Sequence, residues 1–334
     1  MRVLILGGTS FLGPHQVRYL IARGHSVSIF TRGRTETAMF PEAFQQVEHL
    51  IGDRNSDLSA LRGKTWDAVI DNSGRSVEWT RDSAQLTKDT ADRYLYVSST
   101  GVYLPYRNPD IREDTPLVLA DDPTREEMSY GVMKSLSEIE VRKAFGEDRA
   151  LIIRPTYIVG PGDTSDRFTY WPVRIRRGGN VLVPGRMNDP VQFVDVRDLT
   201  EWMIHLLERG AAGTFNAAGP LGGMTMAEMV YGIRAATTTP VEWTWIDDYD
   251  FLREHRLRFA IPWLMAVDDW LGAPRINIER AVASGLTFRP LATITRDTLA
   301  WWDSNAVTDE RRANARFVLT AEREREVLEA WKAR

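Results

Sequence analysis

Arg2–Leu6, RVLIL, runs directly into Gly7–Gly13, GGTSFLG, and then into an amphipathic segment from Pro14 to Arg23. A β-favouring apolar run, a glycine-rich turn and a helix pattern, in that order, open a βαβ nucleotide-binding unit. Gly7 lets the chain turn sharply, Gly8 keeps side-chain bulk away from a pyrophosphate, and Gly13 lets the first helix lie close to the sheet. N–H groups without partners at the helix start attract phosphates. Gly7, Thr9, Ser10, Phe11, Leu12 and Gly13 are therefore the candidate diphosphate cradle. Ser10 replaces the usual middle glycine, narrowing the passage while offering a hydroxyl donor. An ordinary glycine-rich turn carries the same letters, but the position between strand and helix favours the nucleotide reading.

Outward from that stretch, the 334 residues, 43% of them hydrophobic, suffice for one extended domain or two closely joined ones. The net charge is −4, so no global basic footprint marks a nucleic-acid binder. Cysteine is absent, which rules out disulfides, thiol catalysis and iron–sulfur ligation. No apolar run reaches membrane-spanning length and the chain opens on a core strand, so no membrane partner and a cytoplasmic location are expected. His15, His25, His49, His205 and His255 are scattered without metal-ligand spacing, and no metal site is expected.

Strand and helix patterns alternate to about residue 160. Strands are read at His25–Thr31, Val47–Ile51, Trp66–Asp71, Tyr94–Ser98 and Ala150–Arg154, with helices over Glu78–Asp92 and Glu127–Phe145. The pattern predicts an α/β, doubly wound parallel sheet over residues 1–160. Residues 161–334 form mostly a smaller, mainly helical substrate-binding region, with 191–217 returning to the core. That returning segment holds strand patterns at Val191–Val194 and Thr214–Ala217 around a helix at Val196–Glu208. Met226–Thr237 is a further helix, Trp243–Trp302 reads as mostly helical, and Thr320 caps a last helix reaching Trp331.

The end of the second strand decides the cofactor. An acid there would take the ribose hydroxyls of NAD, but the sequence reads Thr31-Arg32-Gly33-Arg34. Two guanidiniums without an acid fit a 2′-phosphate, so Arg32 and Arg34 favour NADP(H), with NAD the alternative. A solvated basic turn, with Glu36 pairing one arginine, is the competing account. Asp53 is placed to accept from the adenine amino group, and Asn72, Ser73 and Gly74 to border the diphosphate.

Tyr130 and Lys134 stand four apart on a helix pattern, so phenol and ammonium share a face. A cation beside a phenol favours phenolate and makes it a usable proton carrier at neutral pH. Upstream, YLYVSSTGVY at Tyr94–Tyr103 brings Ser98, Ser99 and Thr100 to a strand end, the edge where open α/β sheets place ligands. A hydroxyl there can hold a substrate oxygen while the phenol moves its proton.

With these motifs the chain resembles the extended short-chain dehydrogenase/reductase family, close to its NAD-dependent epimerase/dehydratase group, over about residues 1–220. The likeness rests on YxxxK at Tyr130 and Lys134, SSxxVY at Ser98–Tyr103, and RPxxxxGP at Arg154, Pro155, Gly160 and Pro161. Phe193–Leu199, FVDVRDL, and Phe215–Gly219, FNAAG, match two further family segments. The resemblance implies Ser99, Tyr130 and Lys134 as catalytic residues, with Ser98 and Pro155 beside the cofactor. It also implies a homodimer formed through helices including the one that carries Tyr130. Hydride would pass between the nicotinamide and a carbinol or carbonyl carbon. Family members that dehydrate nucleotide sugars carry an acidic pair where this chain has Thr100 and Gly101, so dehydration is not expected. The GGTxFxG opening is similar to a divergent branch that includes chloroplast stem-loop RNA-binding proteins. The complete trio and the acidic net charge rank RNA binding below catalysis.

Thr100, Tyr157, Arg186 and Gln192 are the candidate substrate contacts. Arg174, Arg176 and Arg177 would grip a nucleotide or form a solvated helix face, and Trp263 and Trp270, seven apart, read as helix packing. The expected function is an NAD(P)-dependent oxidoreductase, NADP(H) favoured, acting on a carbonyl or alcohol of a small molecule or sugar. A sugar or nucleotide-sugar epimerase using the same trio is the alternative.

Overall fold

The computed structural model describes the 334-residue chain except residues 36, 73 and 121–125, and the side chains of 126–128. Its first half contains β1 (Arg2–Leu6), α1 (Leu12–Ala22), β2 (Ser26–Thr31), α2 (Pro41–Phe44), β3 (Glu48–Ile51) and β4 (Trp66–Asp71). These are followed by α3 (Val77–Thr87), β5 (Ala91–Val97), α4 (Glu126–Phe145) and β6 (Ala150–Pro155). Then come β7 (Ile158–Val159), α5 (Tyr170–Arg177), β8 (Gly179–Pro184), β9 (Val194–Asp195), α6 (Val196–Glu208) and β10 (Gly213–Ala217). The remainder is α7 (Met226–Thr237), β11 (Val241–Ile246), α8 (Tyr249–Glu254), β12 (Phe259–Ala260) and β13 (Trp263–Leu264). It closes with α9 (Glu279–Ala283), α10 (Leu291–Asp303), α11 (Asp309–Ala313) and α12 (Ala321–Lys332).

Seven strands pair in the order β10-β6-β5-β4-β1-β2-β3, all parallel. The strand order reverses between β1 and β4, and the carboxyl ends of those strands open the crevice where such sheets bind ligands. The strands are apolar on both faces because helices cover both. Val3 and Ile5 pack with Val17, Leu20, Leu199 and Met203 on one side, and Leu4 and Leu6 with Ala84, Val141 and Phe145 on the other. β10 comes from far along the chain yet pairs with β6, while α6 packs on α1. A second core gathers Trp171, Val183, Met229, Ile233 and Trp263 around β8, which pairs in parallel with β11. Among the described residues no helix is long and apolar enough to cross a membrane.

Three expectations need correction. The helix read over Glu78–Asp92 stops at Thr87, because Ala91 already pairs with Trp66 in β5. Of Val191–Val194 only Val194 is paired, against Ile158. Trp243–Trp302 is not mostly helical. Trp243 and Trp245 lie in β11, Trp263 lies in the β12–β13 hairpin, and much of the rest is loop. A two-residue pairing such as β13 is too short to carry a period, so the sequence had no signal for it.

Candidate functional site

Two cavities follow the crevice along the strand ends. The first, about 210 Å³, is lined by Gly7, Thr9, Ser10, Arg32, Arg34 and Asp53. The second, about 630 Å³, is lined by Phe11, Leu12, Asn72, Ser98, Ser99, Thr100, Tyr130, Lys134, Pro155 and Tyr157. Residues chosen from five separated segments thus meet at one edge of the sheet.

Gly7 turns the chain at φ 84°. A Cβ on Gly13 would lie 2.3 Å from the Gly8 carbonyl, so only glycine lets α1 begin this close to the turn. Gly8 also answers a steric demand of the sheet. A Cβ there would meet Ile29 Cγ2 at 2.7 Å, so its bareness serves packing against β2. Phe11 precedes α1 without a side-chain cap; Gly13 N–H is taken by the Ser10 carbonyl at 3.0 Å and Pro14 has none, which leaves the Phe11 and Leu12 N–H groups to face an anion. The cradle fits a diphosphate.

Arg32 and Arg34 are exposed beside this turn, and neither is ion-paired among the described residues. Arg75, which the sequence reading passed over, adds a third exposed guanidinium to the lining. Glu36 and Ser73 lie outside the described residues. Asp53 Oδ1 accepts from Asn55 N–H at 2.9 Å. Buried Arg54 also lines the pocket and forms a two-pronged pair with Asp71, which accepts from the Tyr94 hydroxyl at 2.8 Å. Asn72 exchanges amide hydrogen bonds with Gln16 of α1 at 2.5 and 3.0 Å, and buried Gly74 packs against Tyr96.

At the other end, Ser99 caps a single helical turn over Thr100–Tyr103, its hydroxyl accepting from Gly101 N–H at 3.0 Å. α4 crosses this turn at Gly131, where a Cβ would stand 2.3 Å from the Gly101 carbonyl oxygen. The glycine inside YGVMK therefore lets the helix approach closely enough to bring Tyr130 beside the Ser99 turn. Tyr130 is 50% exposed, facing the open cleft. The surrounding walls raise its hydroxyl pKa by burial, while Ser99 and the Arg167 charge pull the other way.

Lys134 is buried and donates to the Val97 carbonyl at 2.9 Å, with its Nζ 4.8 Å from the Tyr96 ring and 5.9 Å from the Tyr130 ring. Burial lowers its pKa to about 8, against the attraction of Asp71. Lys134 thus lies below the Tyr130 ring without bonding its hydroxyl. The ammonium is anchored to a strand end, and burial of the phenol prevails.

A buried network underlies the trio. Ser98 donates to Glu138 at 2.6 Å, and Arg154 grips Glu138 with two hydrogen bonds at 2.9 and 2.7 Å. Arg154 also donates to the Tyr103 hydroxyl at 2.6 Å, which donates to Asn216 at 2.7 Å. Three family-like motifs, those of Ser98–Tyr103, Arg154 and Asn216, are therefore joined through Glu138 of α4 in one set of hydrogen bonds.

Two candidate substrate contacts stand apart from both cavities. Gln192 pairs both ways with the Ile276 backbone at 3.0 and 2.8 Å, and Arg186 stacks on Tyr249 at 4.7 Å. Arg174 and Arg176 pair with Glu324 and Asp303, tying α5 to α12 and α10. Trp263 is buried and donates to Asp189 at 2.8 Å, whereas Trp270 lines the larger cavity. So do Tyr106, Asp163, Ser165 and Arg167, which the sequence reading did not assign. Asp163 lies two residues after the matched Gly160-Pro161 pair, and that closeness was the available signal.

A chloroplast stem-loop binding protein of 41 kDa from Arabidopsis thaliana is 28% identical over 232 residues, 65% of this chain and 58% of that protein. The chain thus spans less than two thirds of that relative's length. A dTDP-4-dehydro-6-deoxy-D-allose reductase from a Streptomyces species is 28% identical over 264 residues, 67% of this chain and 80% of the relative. The UDP-glucose 4-epimerase of Bifidobacterium longum, solved with NAD+ and UDP, shares the fold with a TM-score of 0.64 at 15% identity. That likeness covers 91% of this chain and 99% of the epimerase. The model of the NAD dependent epimerase/dehydratase family matches residues 3–218, and the chain is an enzyme of that family, an extended short-chain dehydrogenase/reductase.

Proposed function

We propose that this enzyme is an NADPH-dependent reductase of a carbonyl group on a small molecule or sugar. The observation that carries the reading is the arginine rim of the smaller cavity. Arg32, Arg34 and Arg75 line it, unpaired among the described residues, and Asp53 is the one carboxylate among the described lining residues. Such a rim favours a ribose bearing an extra phosphate over a bare diol.

The diphosphate would rest on Gly7–Leu12 beside Asn72, and Ser98 and Pro155 would border the nicotinamide, which supplies the hydride when bound. Ser99 holds the carbonyl oxygen, and Tyr130 delivers the proton to it. Lys134, fixed on the Val97 carbonyl, keeps a positive charge behind the phenol. The family resemblance adds a homodimer through helices including α4 to this reading, and the cytoplasmic location expected from the sequence accompanies it.

Direct titration with the two cofactors tests it. Arg32→Ala is expected to weaken NADPH binding about tenfold, the loss of one partly exposed charge-assisted contact, and to leave NADH binding within about twofold. Equal affinities for both cofactors, unchanged by the substitution, would overturn the preference. NAD retained stoichiometrically through purification would instead favour the epimerase reading.

A pH profile follows from Lys134. Its pKa is lowered by burial, so the ammonium is present below about pH 8 and lost as the pH rises through that value. We expect kcat/KM to fall above about pH 8, with Lys134→Arg moving that limb upward; a limb unchanged in the variant would assign it to another group.

A further inference from the structure

The larger cavity contains a carboxylate that the proton-transfer trio does not use. Asp163 is 2% exposed and lines the cavity with Tyr130. Its Oδ1 accepts from the Ser165 N–H at 2.8 Å and from the Ser165 hydroxyl at 2.6 Å. Its Oδ2 is buried and has no hydrogen-bond partner among the described residues. Three residues on, Asp166 shows what a purely structural buried carboxylate looks like here. Its Oδ1 takes Arg311 at 2.5 Å and its Oδ2 takes the Arg316 N–H at 2.8 Å. A buried acceptor without a partner is costly, and on a residue that lines a ligand cavity it points to a partner that arrives with the ligand.

The surroundings specify that partner. The turn bearing Asp163 is fixed, since Asp163 N–H donates to Gly160 at 3.3 Å and the Pro161 carbonyl lies 2.8 Å from His15 Nε2. Arg167 Nε donates to the Ser165 hydroxyl at 3.0 Å, so one serine links the carboxylate to a guanidinium that stacks 5.4 Å over Tyr157. Burial raises the Asp163 pKa, while the Ser165 hydrogen bonds and the Arg167 charge oppose that rise.

We propose that Asp163 Oδ2 is the specificity contact of the larger cavity, accepting a hydrogen bond from a hydroxyl that the substrate carries beside its reacting carbonyl. This rests on the reductase reading, and it makes the preferred substrates hydroxylated carbonyl compounds rather than plain aldehydes or ketones. An acidic neighbour to the carbonyl would be repelled at the same place.

Two probes test the proposal, D-glyceraldehyde against propanal as NADPH-dependent substrates, and xylitol as a non-reacting ligand followed by calorimetry. The wild type is expected to prefer glyceraldehyde by about 10- to 100-fold in kcat/KM, the usual worth of a hydrogen bond to a charged group. Asp163→Asn preserves an acceptor for Ser165 but turns the other position into a donor. It should bring the glyceraldehyde-to-propanal preference close to one and abolish measurable xylitol binding, while NADPH affinity stays within about twofold. Asp163→Ala should do the same, which guards against a folding defect in either variant. A preference for glyceraldehyde, or xylitol binding, that persists in both variants would overturn the assignment. A wild type that reduces neither aldehyde counts against the reductase reading alone, and the xylitol measurement then decides the Asp163 contact by itself.

Discussion

Tyr130→Phe is expected to lower kcat for NADPH-dependent carbonyl reduction by about 10³-fold, within the range set by removal of a positioned general acid. NADPH affinity should stay within about threefold, because the ring that remains still fills the wall of the cleft. The separation of the two effects is the useful feature. Tyr130 is half exposed in the free enzyme, so it is not a packing residue whose loss would collapse the site. Its hydroxyl pKa is shifted upward, chiefly by the cleft walls, the direction that suits a proton donor. A decrease of less than tenfold, measured with D-glyceraldehyde as the fall in NADPH absorbance, would show that another group supplies the proton.

The second large effect is on stability. Glu138→Ala should cost about 3–5 kcal/mol in urea unfolding, the usual penalty for leaving a buried charge without its partner. Glu138 and Arg154 have side chains only 1% and 3% exposed, joined by two hydrogen bonds. Removing the carboxylate strands the guanidinium, which keeps the Tyr103 hydroxyl and the Glu113 carbonyl as neutral partners. It also deprives Ser98 of its acceptor within the cavity wall. Glu138→Leu combined with Arg154→Met should recover much of the stability, because the pair is replaced by apolar volume. Equal losses in the single and double variants would mean that shape rather than charge governs this position.

The site is further from the sequence than the fold is. β1 and the β4 strand were read at their observed limits, and α6 and α7 likewise, since each carries several turns or a full apolar run with clear stops. Tyr130 and Lys134 were legible because a helix fixes the relation of residues four apart. Ser99 was legible from its place at a strand end. Arg75 and Asp163 were not, because their importance depends on which loops the sheet order gathers at one edge. Gln192 and Arg186 looked suitable by type and position, yet Gln192 is taken up by the Ile276 backbone and Arg186 by the Tyr249 ring.

The opening GGTSFLG, the alternation after it and the YxxxK spacing by themselves determined a doubly wound sheet with a nucleotide turn at its first strand end. Local periodicity and local sterics are enough for that, as Gly13 against Gly8 illustrates. Tertiary structure alone decided that Lys134 is anchored on the Val97 carbonyl with its Nζ 5.9 Å from the Tyr130 ring, and that a third arginine joins the rim of the smaller cavity. It also decided that one buried oxygen of Asp163 has no partner within the described chain. Each of those depends on burial and on contacts between distant segments, and neither is encoded in any single stretch of residues.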